Sequence, residues 1–198
     1  MNPDHLGARL PPLRGDGVQL RGLTTDDVPG LHAIFSDADV VRFMSIPQMT
    51  SEAATLKFLA RIHHGFRAGT LYQWGIELEQ RVVGTCTLAE IDRTNRRAEL
   101  GFALARAFWG RGLILRALPT VIQFAFERLD LRRIEADADP RNAASIHVLE
   151  RLGFQREGLL RERYLQLGEV QDAMLFGLLR RDLDTRTVHP PALRSPGA

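Results

Sequence analysis

The sequence predicts an α/β protein built on one mixed sheet, and three observations carry that expectation. Over residues 71–105, apolar and polar side chains alternate with period two through three segments separated by tight turns, the pattern of an antiparallel meander. Beyond residue 111 the pattern becomes helix, strand, helix and a closing pair of strands, and antiparallel strands followed by strand–helix–strand units make a mixed sheet. With 198 residues, 44% of them hydrophobic, the chain has the size of one domain with a substantial core.

Residues 1–16 and 185–198 carry three prolines each and little periodicity, so they read as flexible tails around a single domain over 17–184. Within it, "VQLRGL" (18–23) alternates like a short strand, and "TTDDVPGLHAIF" (24–35) opens a helix. Thr24 or Thr25 caps that helix, and the acids of its first turn meet the positive end of the helix dipole. "TSEAATLKFLARIHHGF" (50–66) is a second helix, with its apolar side expected at Ala53, Leu56, Leu59, Ala60 and His63. The meander follows as "LYQWGIEL", a turn at Glu79 and Gln80, "RVVGTCTLAEI", a turn near Asn95, and "AELGFALA". A long apolar helix is expected over about 111–129, a strand over 132–138 and a helix over 142–152. Strands around "GFQREGLL" and "VQDAMLFGLLR" close the domain.

Charge excludes some partners. The net charge is only +2, and the pI of 9.2 reflects arginines that stay protonated at high pH, Lys57 being the one lysine. So small a net charge argues against nucleic acid as a partner. Cys86 stands alone, which excludes an internal disulfide, and the N-terminus lacks the apolar core of a signal peptide. No apolar run approaches the roughly 18 residues of a membrane span, so a soluble, reducing, cytoplasmic setting with no membrane partner is expected.

The stretch "AFWGRGLILRALP" (107–119) sets two glycines at the mouth of an apolar helix. A glycine-rich turn at a helix N-terminus exposes main-chain N–H groups and the positive end of the dipole, which together form an anion site. It is neither the dinucleotide fingerprint, because Leu115 stands where the third glycine belongs, nor a P-loop, because the Lys-Ser/Thr pair is missing. "AELGFALARAFWGRGL" (98–113) nevertheless resembles the acetyl-CoA segment of the GNAT N-acetyltransferases, in which a strand leads into a loop of the type Q/R-x-x-G-x-G/A. "DPRNAASIHVLERLGFQREG" (139–158) is similar to the second segment of that superfamily, Asn-x-x-Ser before an apolar helix and Leu-Gly-Phe. The two occur in the family order, and the resemblance, to the branch of the ribosomal-protein alanine N-acetyltransferases (RimJ/RimL-like), covers roughly residues 17–182.

That resemblance implies a mostly antiparallel sheet splayed at the cofactor site with helices on both faces. It implies acetyl-CoA as donor, a protein N-terminus or a small amine as acceptor, and no metal, and it admits a homodimer. Ala107, Trp109, Gly110, Arg111, Gly112 and Leu113 would surround the pyrophosphate, with Arg106 and Arg111 adding positive charge. Phe102, Ala103 and Leu104 would pair with the pantetheine arm, and one N–H of that strand would hold the oxyanion. Asn142 would contact the cofactor, and Ser145 would hydrogen-bond or protonate the leaving sulfur, although an N-cap at Asn142 also accounts for this pair structurally. Tyr164 is a second candidate acid, standing where relatives carry a glutamate base. Glu99 is the best remaining base, its structural alternative being a salt bridge to Arg96 or Arg97. A domain of this kind that binds acyl-CoA as a sensor without turnover is the alternative function.

Other residues have plainer readings. Glu135, Asp137 and Asp139 project from one face of their strand, as a solvated or amine-attracting acidic wall rather than a metal site. Cys86 alternates with Thr85 and Thr87 as a buried structural thiol, His63 and His64 sit at a helix end, and Asp172 takes a structural role before the last strand. Arg116 replaces a family glutamate, and Pro119 inside the helix implies either a kink or a later start to its regular part. The acceptor site is expected between "SDADVVRFMSIPQM" (36–49) and the region near 160–170.

Overall fold

In the computed structural model, which describes residues 9–183, the alternating segments become strands β1 (Leu13–Gly15), β2 (Val18–Gly22), β3 (Tyr72–Leu78), β4 (Arg81–Asp92), β5 (Arg97–Leu104), β6 (Arg133–Ala138), β7 (Gln155–Gln166) and β8 (Glu169–Leu179). The helices are α1 (Val28–Phe35), α2 (Ala38–Val41), α3 (Glu52–Ala68), α4 (Leu113–Glu127) and α5 (Ala143–Leu152). One eight-stranded sheet results, in the order β1-β2-β3-β4-β5-β6-β8-β7. Neighbours are antiparallel throughout except β5 and β6, which are parallel.

Strand alternation builds two cores, one on each face of the sheet. Leu100, Leu104, Ile134, Ala136 and Phe176 pack with α4 and α5, while Ala103 and Val82 pack with α1 and α3. The turns read from the sequence are present, with Glu79 and Gln80 both at positive φ, as a two-residue hairpin turn of right-handed strands requires.

Three local expectations are corrected. Part of the expected tail 1–16 belongs to the sheet, because Leu13–Gly15 pairs with Val18–Leu20 and the Trp74 indole N–H donates to the carbonyl of Pro11 at 2.8 Å, while residues 1–8 fall outside the described residues. Gly15 lies so tightly on α4 that a Cβ there would stand 2.3 Å from the carbonyl oxygen of Arg116. A three-residue strand is too short to show alternation; its reason is this packing. Residues 185–198 fall outside the described residues. The buried side of α3 is Thr55, Leu59, Ile62 and Gly65, which shares only Leu59 with the side expected, and Leu56 is exposed. Ile62 and Leu59, flanked by half-buried Phe58 and Phe66, bring more apolar area to the sheet than the alanines, so they set the rotation. Finally, α4 begins at Leu113 and runs unbroken past an exposed Pro119.

Only Arg97–Glu99 and Arg133–Glu135 pair β5 with β6. Beyond Glu99 the two strands part, leaving the second half of each without a partner on that side. This gap positions everything that follows.

Candidate functional site

The antiparallel pattern decides which main-chain groups face the gap. Ala105 N–H donates to Val83 C=O at 2.9 Å, and the register pairs Ala103 with Thr85 and Phe102 with Cys86. Hydrogen-bonded and non-hydrogen-bonded pairs alternate, so Ala103 directs its amide toward β4 whereas Phe102 and Leu104 direct theirs toward the gap. The Leu104 carbonyl is taken by the Trp109 indole N–H at 2.7 Å, which pins the following loop against the end of β5. Of the three residues expected to meet the pantetheine arm, Phe102 and Leu104 therefore offer free N–H directions.

Past a short 3-10 turn at Arg106–Phe108, Gly110 and Gly112 both adopt left-handed backbone, at φ 73° and 69°. Nothing lies within 4 Å of the place a Cβ would occupy on either, so the glycines are required by conformation and by an open approach to the main chain. Gly112 is the N-cap of α4, and no side chain caps that end, so the first amides of α4 remain open to an anion. The residues present therefore fit a pyrophosphate. Arg111 is exposed and stacks on the Phe108 ring at 5.0 Å, beside these amides. Arg106 does not point to the loop: it binds Asp37 at 3.1 Å and Asp39 at 2.7 Å. Arg116 lies against the β1–β2 turn, its guanidinium 3.2 Å from the position of a Gly17 Cβ.

On the far side of the gap, Asn142 caps α5, its side-chain oxygen accepting from Ser145 N–H at 3.2 Å. The structural explanation of this pair is thus present, and it leaves the half-buried Ser145 hydroxyl without a protein hydrogen-bond partner among the described residues.

Glu99 faces the α1/α3 side of the sheet and shares that face with Glu135 and Asp137. Its expected salt bridge is not formed: Arg97 binds Glu135 at 2.6 Å and Arg96 binds Asp130 at 2.8 Å. Burial, and then the nearby carboxylates of Asp137, Glu90 and Glu135, raise the Glu99 carboxyl above its ordinary value. Tyr164 reaches the same place from β7. Burial and the neighbouring Asp137 carboxylate push its phenol up to about 12. The three acids expected on one strand face divide accordingly: Glu135 is neutralised by Arg97 and Arg133, Asp137 lies beside Tyr164, and buried Asp139, just past the end of β6, is gripped by Arg141.

The remaining residues behave structurally. Burial alone pushes the Cys86 thiol up. His63 Nε2–H donates to the Leu23 carbonyl at 2.9 Å, and the Asp172 carboxylate receives the Glu162 N–H at 2.8 Å, bracing a bulge in β7. No group of three or more potential metal ligands occurs among the described residues, and none of their helices is long and apolar enough to cross a membrane. Sequence reasoning missed Gln166 and Gln171, which are buried and donate to carbonyls of Val41, Ile46 and Arg42. Their partners are more than a hundred residues away, so only the fold shows them.

A parallel pair that parts into a gap, followed by a glycine loop at an uncapped helix N-terminus, is the arrangement of an acyl-CoA-dependent transferase. The acetyltransferase (GNAT) domain model matches residues 18–155, and the chain belongs to that family as an N-acetyltransferase. It is 34% identical over 167 residues to the uncharacterized N-acetyltransferase p20 of Bacillus licheniformis, covering 83% of this chain and 94% of that one. It is 26% identical over 158 residues to the spermidine N(1)-acetyltransferase of Escherichia coli, covering 79% and 83%. Among solved structures, Mycobacterium smegmatis RimJ in complex with CoA-disulfide superposes with a TM-score of 0.79 at 25% identity, covering 87% and 88%.

Proposed function

We propose that the chain moves an acetyl group from acetyl-CoA directly to a primary amine, of a protein N-terminus or of a small molecule, within a ternary complex. The observation that carries this reading is the gap between β5 and β6: one end opens on the Gly110–Gly112 loop, and one face is lined by Glu99, Asp137 and Tyr164.

Acetyl-CoA supplies an activated thioester carbonyl, and the protein supplies position, charge and proton transfer. Gly110, Arg111, Gly112 and Leu113 would hold the pyrophosphate with main-chain amides, aided by the Arg111 charge, while Ala107 and Trp109 shape the loop. Asn142 would complete the cofactor track from α5. Phe102 or Leu104 N–H would donate to the carbonyl oxygen as the amine nitrogen attacks and the C–S bond breaks. Glu99, with its raised affinity for protons, would take the amine proton directly or through water. Tyr164, protonated across the working range, and Ser145 are the two donors for the departing sulfur. The acidic face suits an acceptor that arrives as a cation, which both classes of amine do.

Thiol release from acetyl-CoA is the test, measured with spermidine and with a synthetic peptide bearing a free N-terminal alanine. Amine-dependent release with at least one is expected; acetyl-CoA binding without transfer to either, or to a broader amine panel, would overturn direct transfer in favour of a sensor.

A further inference from the structure

The two segments expected to form the acceptor site, residues 36–49 and the β7–β8 hairpin, are joined in the fold. Gln166 donates to Ile46 C=O at 2.7 Å and to Val41 C=O at 3.2 Å, and Gln171 donates to Arg42 C=O at 2.9 Å. The Arg141 guanidinium, which also bonds Glu169, stacks over the Phe43 ring at 5.3 Å. Both glutamine side chains are buried, so this end of the segment is firmly held.

The other end is held differently. Asp37 caps α2 by accepting from Asp39 N–H at 2.9 Å, and its carbonyl receives the N–H groups of Val40 and Val41, both at 3.1 Å. Among the described residues only Arg106 reaches across to these acids, its Nε on Asp37 and its Nη1 on Asp39, and both Arg106 and Asp39 are exposed. Arg106 is also the first residue of the turn that delivers Ala107 and the glycine pair. That turn keeps its shape without the ion pairs, through Ala105 N–H on Val83, Phe108 N–H on Ala105 and the Trp109 indole on Leu104. The guanidinium thus links the phosphate loop to the N-terminal end of α2, where the preceding Ser36 carbonyl accepts from Gln48 at 2.7 Å but the Asp37 and Asp39 carboxylates face Arg106.

We propose that Arg106 is a positioning residue that couples acetyl-CoA on its loop to the order of α2 on the acceptor side. The inference rests on the proposed use of that loop by the cofactor. Stiffening the loop narrows the freedom of the Arg106 side chain, and its fork transmits that restriction to Asp37 and Asp39 together. The acceptor wall then becomes ordered when the donor is in place.

Hydrogen exchange at the amides of Val40, Val41 and Met44, with and without saturating CoA, tests this alongside calorimetric CoA binding. In the wild type, CoA is expected to slow exchange by about threefold, the ratio given by a surface ion pair of ordinary strength. In Arg106→Ala, and separately in the double variant Asp37→Asn/Asp39→Asn, the slowing should vanish while the CoA dissociation constant stays within about twofold. Slowing that persists in both variants, or no slowing in a wild type that binds CoA, overturns the coupling. A large loss of CoA affinity in Arg106→Ala also overturns it, by assigning Arg106 to the phosphates. Failure of the wild type to bind CoA overturns the proposed function itself, and the coupling with it.

Discussion

Glu99 and Glu135 are the last register partners of β5 and β6, and only Glu135 is neutralised by arginines. Two carboxylates at the point where the strands part therefore have opposite fates. Arg133 and Arg97 hold Glu135 below its ordinary value against the effect of burial, while burial and acidic neighbours raise Glu99.

Glu99→Gln is expected to lower kcat/KM on the order of 10²-fold and to remove the acid limb of its pH profile, which in the wild type lies above the ordinary carboxylate range. The same variant should be more stable at neutral pH. A carboxyl whose folded pKa is raised favours the folded state below its unfolded pKa and loses that contribution as pH rises through the folded value. Thermal melts at pH 4 and pH 7 check this: the gain from glutamine should be confined to the higher pH.

Tyr164→Phe and Ser145→Ala separate the two candidate donors. With its phenol at about 12, Tyr164 stays protonated throughout the working range, so its loss should reduce kcat on the order of 10²-fold without shifting the acid limb. Ser145→Ala is expected to leave α5 intact, because the cap there is the Asn142 side chain on the Ser145 main chain. Pre-steady-state rates for both variants decide which hydroxyl serves the sulfur.

Gly110→Ala and Gly112→Ala each force a side chain into left-handed backbone, at a cost of roughly 1–2 kcal/mol in stability. The added Cβ meets open space in the free protein but stands where a phosphate would approach. Calorimetry should show CoA affinity falling by more than denaturation accounts for.

Pro119→Ala restores an N–H to the middle of α4, where proline withholds a donor from Leu115 C=O. An increase in unfolding free energy of ~1–3 kcal/mol is expected from urea denaturation, with CoA binding unchanged.

The order of strands and helices was legible because each is long enough to show its period: β4 and β5 alternate over many residues, and α4 is apolar on a broad face. The glycine turn before α4 was legible too, since its two glycines answer a local conformational demand at Gly110 and Gly112. What escaped depends on distance along the chain. The rotation of α3 is set by what the sheet offers it, not by its own apolar count. The pairing of Arg106 with Asp37 and Asp39, of Gln166 with Ile46, and of Tyr164 with Asp137 joins segments with no shared pattern. Asp37 could have been read as a helix cap, but nothing in its neighbours names Arg106.

The packing of Gly15 on Arg116 bears on how the protein should be produced. A gene trimmed to start at residue 17, where the patterning suggests the domain begins, would delete β1 and bare the outer edge of β2 along with the α4 backbone beneath it. Exposed strand edges recruit other strands, so such a fragment should precipitate at concentrations the longer chain tolerates. Retaining residues from Arg9 onward keeps Pro11 on Trp74 and leaves the sheet with the border it was built to have.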